Sequence, residues 1–193
     1  MKFGGNPALL IIDAQKGIQE TEHWGGNRNN PEAENNIAAL LKHWRVSDLP
    51  VIIVQHRSIS RSSPLHPDHL GHGFMDFVKV RPDEKVIVKA TTSAFIQTDL
   101  LQHIEWNNIS SLVITGFVTN NSVESTARSA GDLGIDAFVV ADATACFDKV
   151  GIDGKKYSSE MVHQLSLANI NGEYASILTT HDILTVSNLK STI

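Results

Sequence analysis

Six short, almost wholly apolar runs rich in β-branched residues punctuate the chain: Ala8–Asp13 (ALLIID), Val51–Gln55 (VIIVQ), Lys85–Lys89 (KVIVK), Ser111–Thr115 (SLVIT), Ile135–Val140 (IDAFVV) and Ala175–Leu178 (ASIL). A strand with one wet face alternates apolar and polar residues, whereas a strand covered on both faces does not need to. Longer segments with helical periodicity separate the runs, and this alternation predicts βαβ units. The expected fold class is α/β: a Rossmann-like three-layer α/β/α sandwich around a six-stranded parallel sheet. With 193 residues, 41% of them apolar, the chain can bury one sizeable core, so 1–193 is read as a single domain.

The first helix is expected from Asn30-Pro31 to about Ser47, with Asn30 as cap, Pro31 in the first turn and Glu32 and Glu34 at the positive end. Ile37, Leu40, Leu41 and Trp44 give it one apolar face. Further helices are predicted over Thr98–Trp106, Asn121–Leu133 (ended by Gly134) and Ser159–Ile170, with a short one after Thr180. In the third, Val123, Ala127, Ala130 and Leu133 share a stripe. The stretch His56–Glu84 has no periodicity and contains Pro64, Pro67 and Pro82. A loop of that length in a compact domain is usually functional, and this one, with Phe74 and Phe77, is expected to close over a pocket.

Charge and composition exclude several classes. Sixteen basic against 21 acidic residues, with no Lys/Arg-rich run, leave no electrostatic footprint for nucleic acid or a membrane surface. The N-terminal apolar run is too short for a signal peptide, and nothing approaches a membrane span. The single cysteine, Cys146, rules out internal disulfides and Cys-rich metal sites and suits a reducing compartment, so a cytoplasmic protein is expected. Cys146 itself reads as a small buried hydrophobe.

In an open parallel sheet ligands bind beyond the carboxyl ends of the strands. There the sequence offers Asp13 after the first run, Lys89 at the end of the third, and Ser122 in Gly116-Phe117-Val118-Thr119-Asn120-Asn121-Ser122, which opens a helix whose first-turn amides can hold an oxyanion. None is specific alone. Asp13 could cap a turn, Lys89 could end a strand in solvent, and Ser122 is ordinary at a helix start. His56, His66, His69 and His72 suggest a metal, but the proline inside His66-Pro67-Asp68-His69 breaks the helical spacing a ligand pair would use, so neither metal nor cofactor is expected. A nucleotide-binding reading fails because Asp13-Ala14-Gln15-Lys16-Gly17 lacks the glycine fingerprint.

Three segments in order, ALLIIDAQKG, VIVKATTSAFIQTDL and LVITGFVTNNSVESTARSAGDLGIDAFVVADATA, resemble the isochorismatase-like superfamily of cysteine hydrolases, which includes nicotinamidases, N-carbamoyl amidohydrolases and isochorismatases. The resemblance also covers HQLSLANINGEYASILTTHDIL. It implies a small-molecule substrate and assembly into a dimer or tetramer. Position by position, Asp13 matches the family's general base and Lys89 its active-site lysine. Ser122 falls where the family usually carries its nucleophilic cysteine, and Phe117-Val118 where a non-proline cis peptide commonly stands, with the Val118 and Ser122 amides forming the oxyanion hole. The metal-binding members carry Asp-x-His after the second strand, where this chain reads Gln55-His56-Arg57.

The serine is the main departure. A thiol begins near pKa 8.5, while an alcohol is a far weaker acid and a poor replacement for it. Ser122 is therefore compatible with a natural hydrolase that uses water or serine attack, with a Cys→Ser change that disables the enzyme, or with a protein that kept a pocket and lost catalysis. The coherent VTNNSVESTAR context favours a natural serine. The activity expected is hydrolysis of an amide-type C–N bond. Vinyl ether hydrolysis by direct water attack and binding of a small ligand without catalysis are the alternatives. Trp24 and Phe147 are candidates for pocket walls, and equally for packing.

Overall fold

The computed structural model describes residues 3–186 and Leu189. Six strands form one sheet: β1 (Pro7–Ile12), β2 (Val51–His56), β3 (Lys85–Lys89), β4 (Ser111–Phe117), β5 (Asp136–Ala145) and β6 (Ser176–Leu178). Every pairing is parallel, in the order β3-β2-β1-β4-β5-β6. The chain thus winds outward in one direction through β3 and in the other from β4, and the reversal lies between β1 and β4, where open α/β sheets place their ligand crevice. Among the described residues, the α-helices longer than one turn are α1 (Ala33–Val46), α2 (Leu100–Trp106), α3 (Glu124–Asp132), α4 (Ser159–Ile170) and α5 (Thr180–Leu184), and a single turn spans Thr21–Trp24. A two-stranded ribbon, Lys149–Val150 with Lys156–Tyr157, projects before α4. Among the described residues no helix is long and apolar enough to cross a membrane.

Alternation along β1 divides the core in two. Leu9 and Ile11 face the cluster that holds Ile37, Leu40, Leu41 and Trp44 of α1, while Ala8, Leu10 and Ile12 face the cluster that holds Leu100 and Ile104 of α2, Ala127 and Ala130 of α3, and Ile170 of α4. The indole of Trp44 has a polar atom to satisfy, and its Nε1 donates to the Pro7 carbonyl at 3.0 Å.

Several boundaries differ from the sequence expectation, each for a local reason. β1 stops at Ile12, and Asp13 follows with φ +50°, a turn geometry that Asp tolerates better than most residues. Asn30 is no helix cap. It adopts φ +44°, and its amide donates to the Ala141 and Thr144 carbonyls, bracing the end of β5, so α1 begins three residues later. The third helix does not begin at Asn121: Thr119–Val123 form a π turn, α3 runs from Glu124, and Leu133 lies past its end, half exposed. Two strands are not covered on both faces. β3 and β6 are the sheet edges, and Val88 is 49% exposed.

The long segment between β2 and β3 has one 3-10 turn, Leu70–His72, and is strapped across the end of β1. Gln15, fully buried, accepts from the His56 amide (2.7 Å) and donates to the His56 and His72 carbonyls (3.0 and 2.8 Å). The Lys16 amide donates to Gly73, and the Met75 amide to Ala14. Phe74 and Phe77 pack against the core instead of closing a pocket.

Candidate active site

Asp13 leaves the end of β1, Lys89 ends β3, and Ser122 sits in the π turn after β4. The three meet at one atom. The Lys89 ammonium donates to Asp13 Oδ2 at 2.7 Å, to Ser122 Oγ at 3.1 Å and to the Thr91 carbonyl at 3.2 Å, and lies 3.2 Å from His56 Nδ1. Four acceptors compete for its three hydrogens, so the lysine has no capacity left over. Neither charge of the Lys89–Asp13 pair reaches water appreciably, with side-chain exposures of 0% and 4%. Such a pair holds only when the remaining lone pairs and protons are also matched.

One of them is not matched. Asp13 Oδ1 is buried and has no hydrogen-bond partner, and Asp13 lines a cavity of about 370 Å³. The cavity is lined also by Ser122, Phe117 and Val118, by Trp24 and Ile18, by His56 at the end of β2, and by Ser58, Ser63 and Leu65 of the strapped segment. The segment therefore shapes the pocket, though through other side chains than the two phenylalanines.

The wall after β4 depends on an uncommon backbone. Gly116 has φ +110°, and a Cβ there would strike the Ile12 carbonyl, so only glycine lets β4 lie this close to β1 at the switch point. The next peptide, Phe117-Val118, is cis. The Val118 carbonyl then accepts from the Asn121 and Val123 amides, closing the π turn that carries Ser122. π turns of this kind recur where a side chain must be aimed. Behind it, His163 of α4 meets Thr119 Oγ1 at 2.9 Å, and Ser166 Oγ donates to the Thr119 carbonyl and to Glu124. Burial holds the His163 imidazole below its ordinary pKa.

His56 belongs to the same constellation. Burial lowers its pKa, the nearby Asp13 carboxylate opposes this, and the Lys89 charge adds to the lowering, so the neutral ring is favoured and Nδ1 accepts from Lys89. Its sequence signal was its register, not its type. In the β2–β3 pairing His56 stands directly opposite Lys89. Gln15, which fixes the His56 backbone, was likewise not apparent as a site residue.

The other candidates are placed elsewhere. His66 and His69 accept from the Asp68 and Gly71 amides through Nδ1, and His72 Nδ1 lies 3.0 Å from the Leu65 carbonyl, so these rings turn the chain. Among the described residues, no group of three or more His, Cys, Asp or Glu is arranged to hold a metal ion. Phe147 is buried behind Trp24, ring centroids 6.2 Å apart, and only Trp24 reaches the cavity. The Cys146 thiol donates to the Ser159 carbonyl, and burial pushes its pKa to about 12, which removes it as a nucleophile.

Residues 7–182 match the family model described as the isochorismatase domain. The chain is 38% identical over 177 residues to the uncharacterized isochorismatase family protein YrdC of Bacillus subtilis strain 168, covering 92% of this chain and 94% of that protein. Nicotinamidase 3 of Arabidopsis thaliana is more distant, 27% identical with 89% and 83% covered. Among solved structures, an isochorismatase-family protein from Chromobacterium violaceum ATCC 12472 superposes with a TM-score of 0.90 at 41% identity, over 95% of each chain.

Proposed function

This chain belongs to the isochorismatase family, and on that premise we propose that residues 1–193 form one hydrolase domain that cleaves an amide-type C–N bond of a small molecule. The observation that carries the reading is the divided Asp13 carboxylate: Oδ2 is held by Lys89, while Oδ1 is buried without a hydrogen-bond partner in a residue that lines the cavity. A carboxylate oxygen left without a partner, in a residue that lines a cavity, is what an attacking O–H group requires.

In this mechanism water, positioned by Ser122, attacks the substrate carbonyl carbon as Asp13 Oδ1 takes its proton. The carbonyl π pair moves onto oxygen, where the Val118 and Ser122 amides serve as oxyanion donors. Collapse of the tetrahedral species returns the pair, breaks the C–N bond, and passes the proton from Asp13 to the departing nitrogen. Water attack suits this chain better than serine attack, because a serine hydroxyl is a far weaker acid than the thiol the family usually carries at this position.

A cytoplasmic, self-associating enzyme is the accompanying proposal. The buried thiol suits a reducing compartment, and Val150, Ile152, Met161 and Leu165, exposed on the ribbon and α4, offer an apolar face for a second copy.

The reading is tested by assaying a panel of small primary amides, N-carbamoyl compounds and isochorismate with the native chain and Asp13→Asn. Release of ammonia or amine by the native protein, lost in Asp13→Asn, is the expected result. Turnover of isochorismate alone would replace the amide reading with the vinyl ether one. No turnover by the native chain, with activity appearing only in Ser122→Cys, would make this a ligand-binding protein.

A further inference from the structure

The cavity beside Asp13 is unusually poor in positive charge for a site built around a lysine. Among the described residues, no lysine or arginine lines it. Lys89 is not on the cavity wall, and all of its hydrogens are engaged. Arg28, the cation near Phe117, is bound through both terminal nitrogens to Glu34. Arg57 and Arg61 of the strapped segment are exposed and do not line the cavity. The lining is made instead by residues that bring a carboxylate (Asp13), hydroxyl groups (Ser58, Ser63 and Thr91) and His56, whose neutral form its surroundings favour.

From this arrangement we infer that the cavity accepts uncharged ligands and rejects carboxylates, so that the acid formed by amide hydrolysis is expelled by the same site that bound the neutral amide. The inference rests on the amide reading for the identity of the product, but the charge selection stands on the cavity's own composition. A carboxylate entering the pocket gives up hydration without meeting an unpaired cation. One of its oxygens could face the backbone donors near Ser122, but the carboxylate would still bring a second negative charge close to the Asp13 carboxylate. The neutral amide avoids both penalties. The chemical step thus converts a ligand the site tolerates into one it repels.

Two isosteric pairs test this: benzamide against benzoate, and acetamide against acetate, with binding to the native protein measured by ligand-observed NMR and by thermal shift at about pH 7.5. Each amide should bind at least about tenfold more tightly than its acid, and the acids should not inhibit any turnover found. In Asp13→Asn the preference should shrink toward parity, because an entering carboxylate no longer meets a like charge on the Asp13 wall while the lining still offers it no cation. If Asp13→Asn does not fold, the native comparison decides the matter alone. Equal or tighter binding of the acids by the native protein, or binding of neither member of either pair, overturns the inference. Amide selectivity without hydrolysis retires the hydrolase reading and leaves the charge selection standing. Hydrolysis accompanied by strong inhibition by the acid product does the opposite.

Discussion

Lys89 and Asp13, 76 positions apart, are joined by a 2.7 Å ion pair almost sealed from solvent. Among the described residues neither has a second ion-pair partner, so the two cannot be judged separately. Replacing Lys89 with Met leaves a buried carboxylate unpaired and should cost about 3–5 kcal/mol, read as a fall in the urea midpoint. Adding Asp13→Asn to the same chain should recover most of that loss while leaving activity absent. A double variant as unstable as Lys89→Met would show that the pair is not the source of the cost.

Ser122→Cys places a thiol 3.1 Å from the position of the Lys89 ammonium. A neighbouring cation favours the thiolate, so the new cysteine should react with iodoacetamide at neutral pH well ahead of a free thiol. Cys146 should stay unmodified in the same experiment, because its pKa is pushed to about 12. Peptide mass spectrometry separates the two sites, and modification of Cys146 first would contradict the packing described.

His56 and His163 both titrate below their ordinary value of 6.5 in the native protein, chiefly because they are buried. The unfolded chain therefore binds protons at a higher pH than the native one. Their contribution to stability is complete above about pH 6.5 and is lost as pH falls below it, until the depressed native values are reached. Urea midpoints should decline between about pH 7 and pH 5, before most carboxylates titrate, and His163→Gln should flatten that slope. A midpoint independent of pH over this window would refute the assignment.

Gly116→Ala should be among the most damaging single changes available, since its Cβ would collide with the Ile12 carbonyl of the neighbouring strand. A loss above about 4 kcal/mol, or failure to accumulate as folded protein, is expected. Gly154→Ala provides the control. It has a comparable left-handed φ of +77° but open space around it, so only the conformational penalty of about 1–2 kcal/mol applies. Melting temperatures that fall equally in the two would remove the argument for close strand approach.

The sheet was legible because doubly covered strands cannot hide: Leu9, Leu10, Ile52, Ile53, Val113 and Ile114 are all fully buried. Position in the sheet was not legible, so the exposure of Val88 on edge strand β3 could not be foreseen from KVIVK. Asn30 and the π turn escaped notice for a different reason. Asparagine and serine near a helix start read as caps, and only tertiary partners, the Ala141 and Thr144 carbonyls for Asn30, reveal the other use. Asp13, Lys89 and Ser122 were accessible through strand ends and family resemblance, and the structure gathers them on one ammonium. His56 escaped because a histidine among histidines suggests metal. Its pairing opposite Lys89 depends on the register of β2 with β3, which no single segment encodes.

The strand order also fixes a schedule for synthesis. β1 can pair with β2 as soon as residue 56 is available, but its other edge waits for β4, which begins at Ser111. At roughly 5–20 residues translated per second, the run PALLII spends several seconds with half of its hydrogen-bonding groups unclaimed. For that interval a strand wholly buried in the finished protein stands with one edge open, and an open edge is what a neighbouring nascent chain can join.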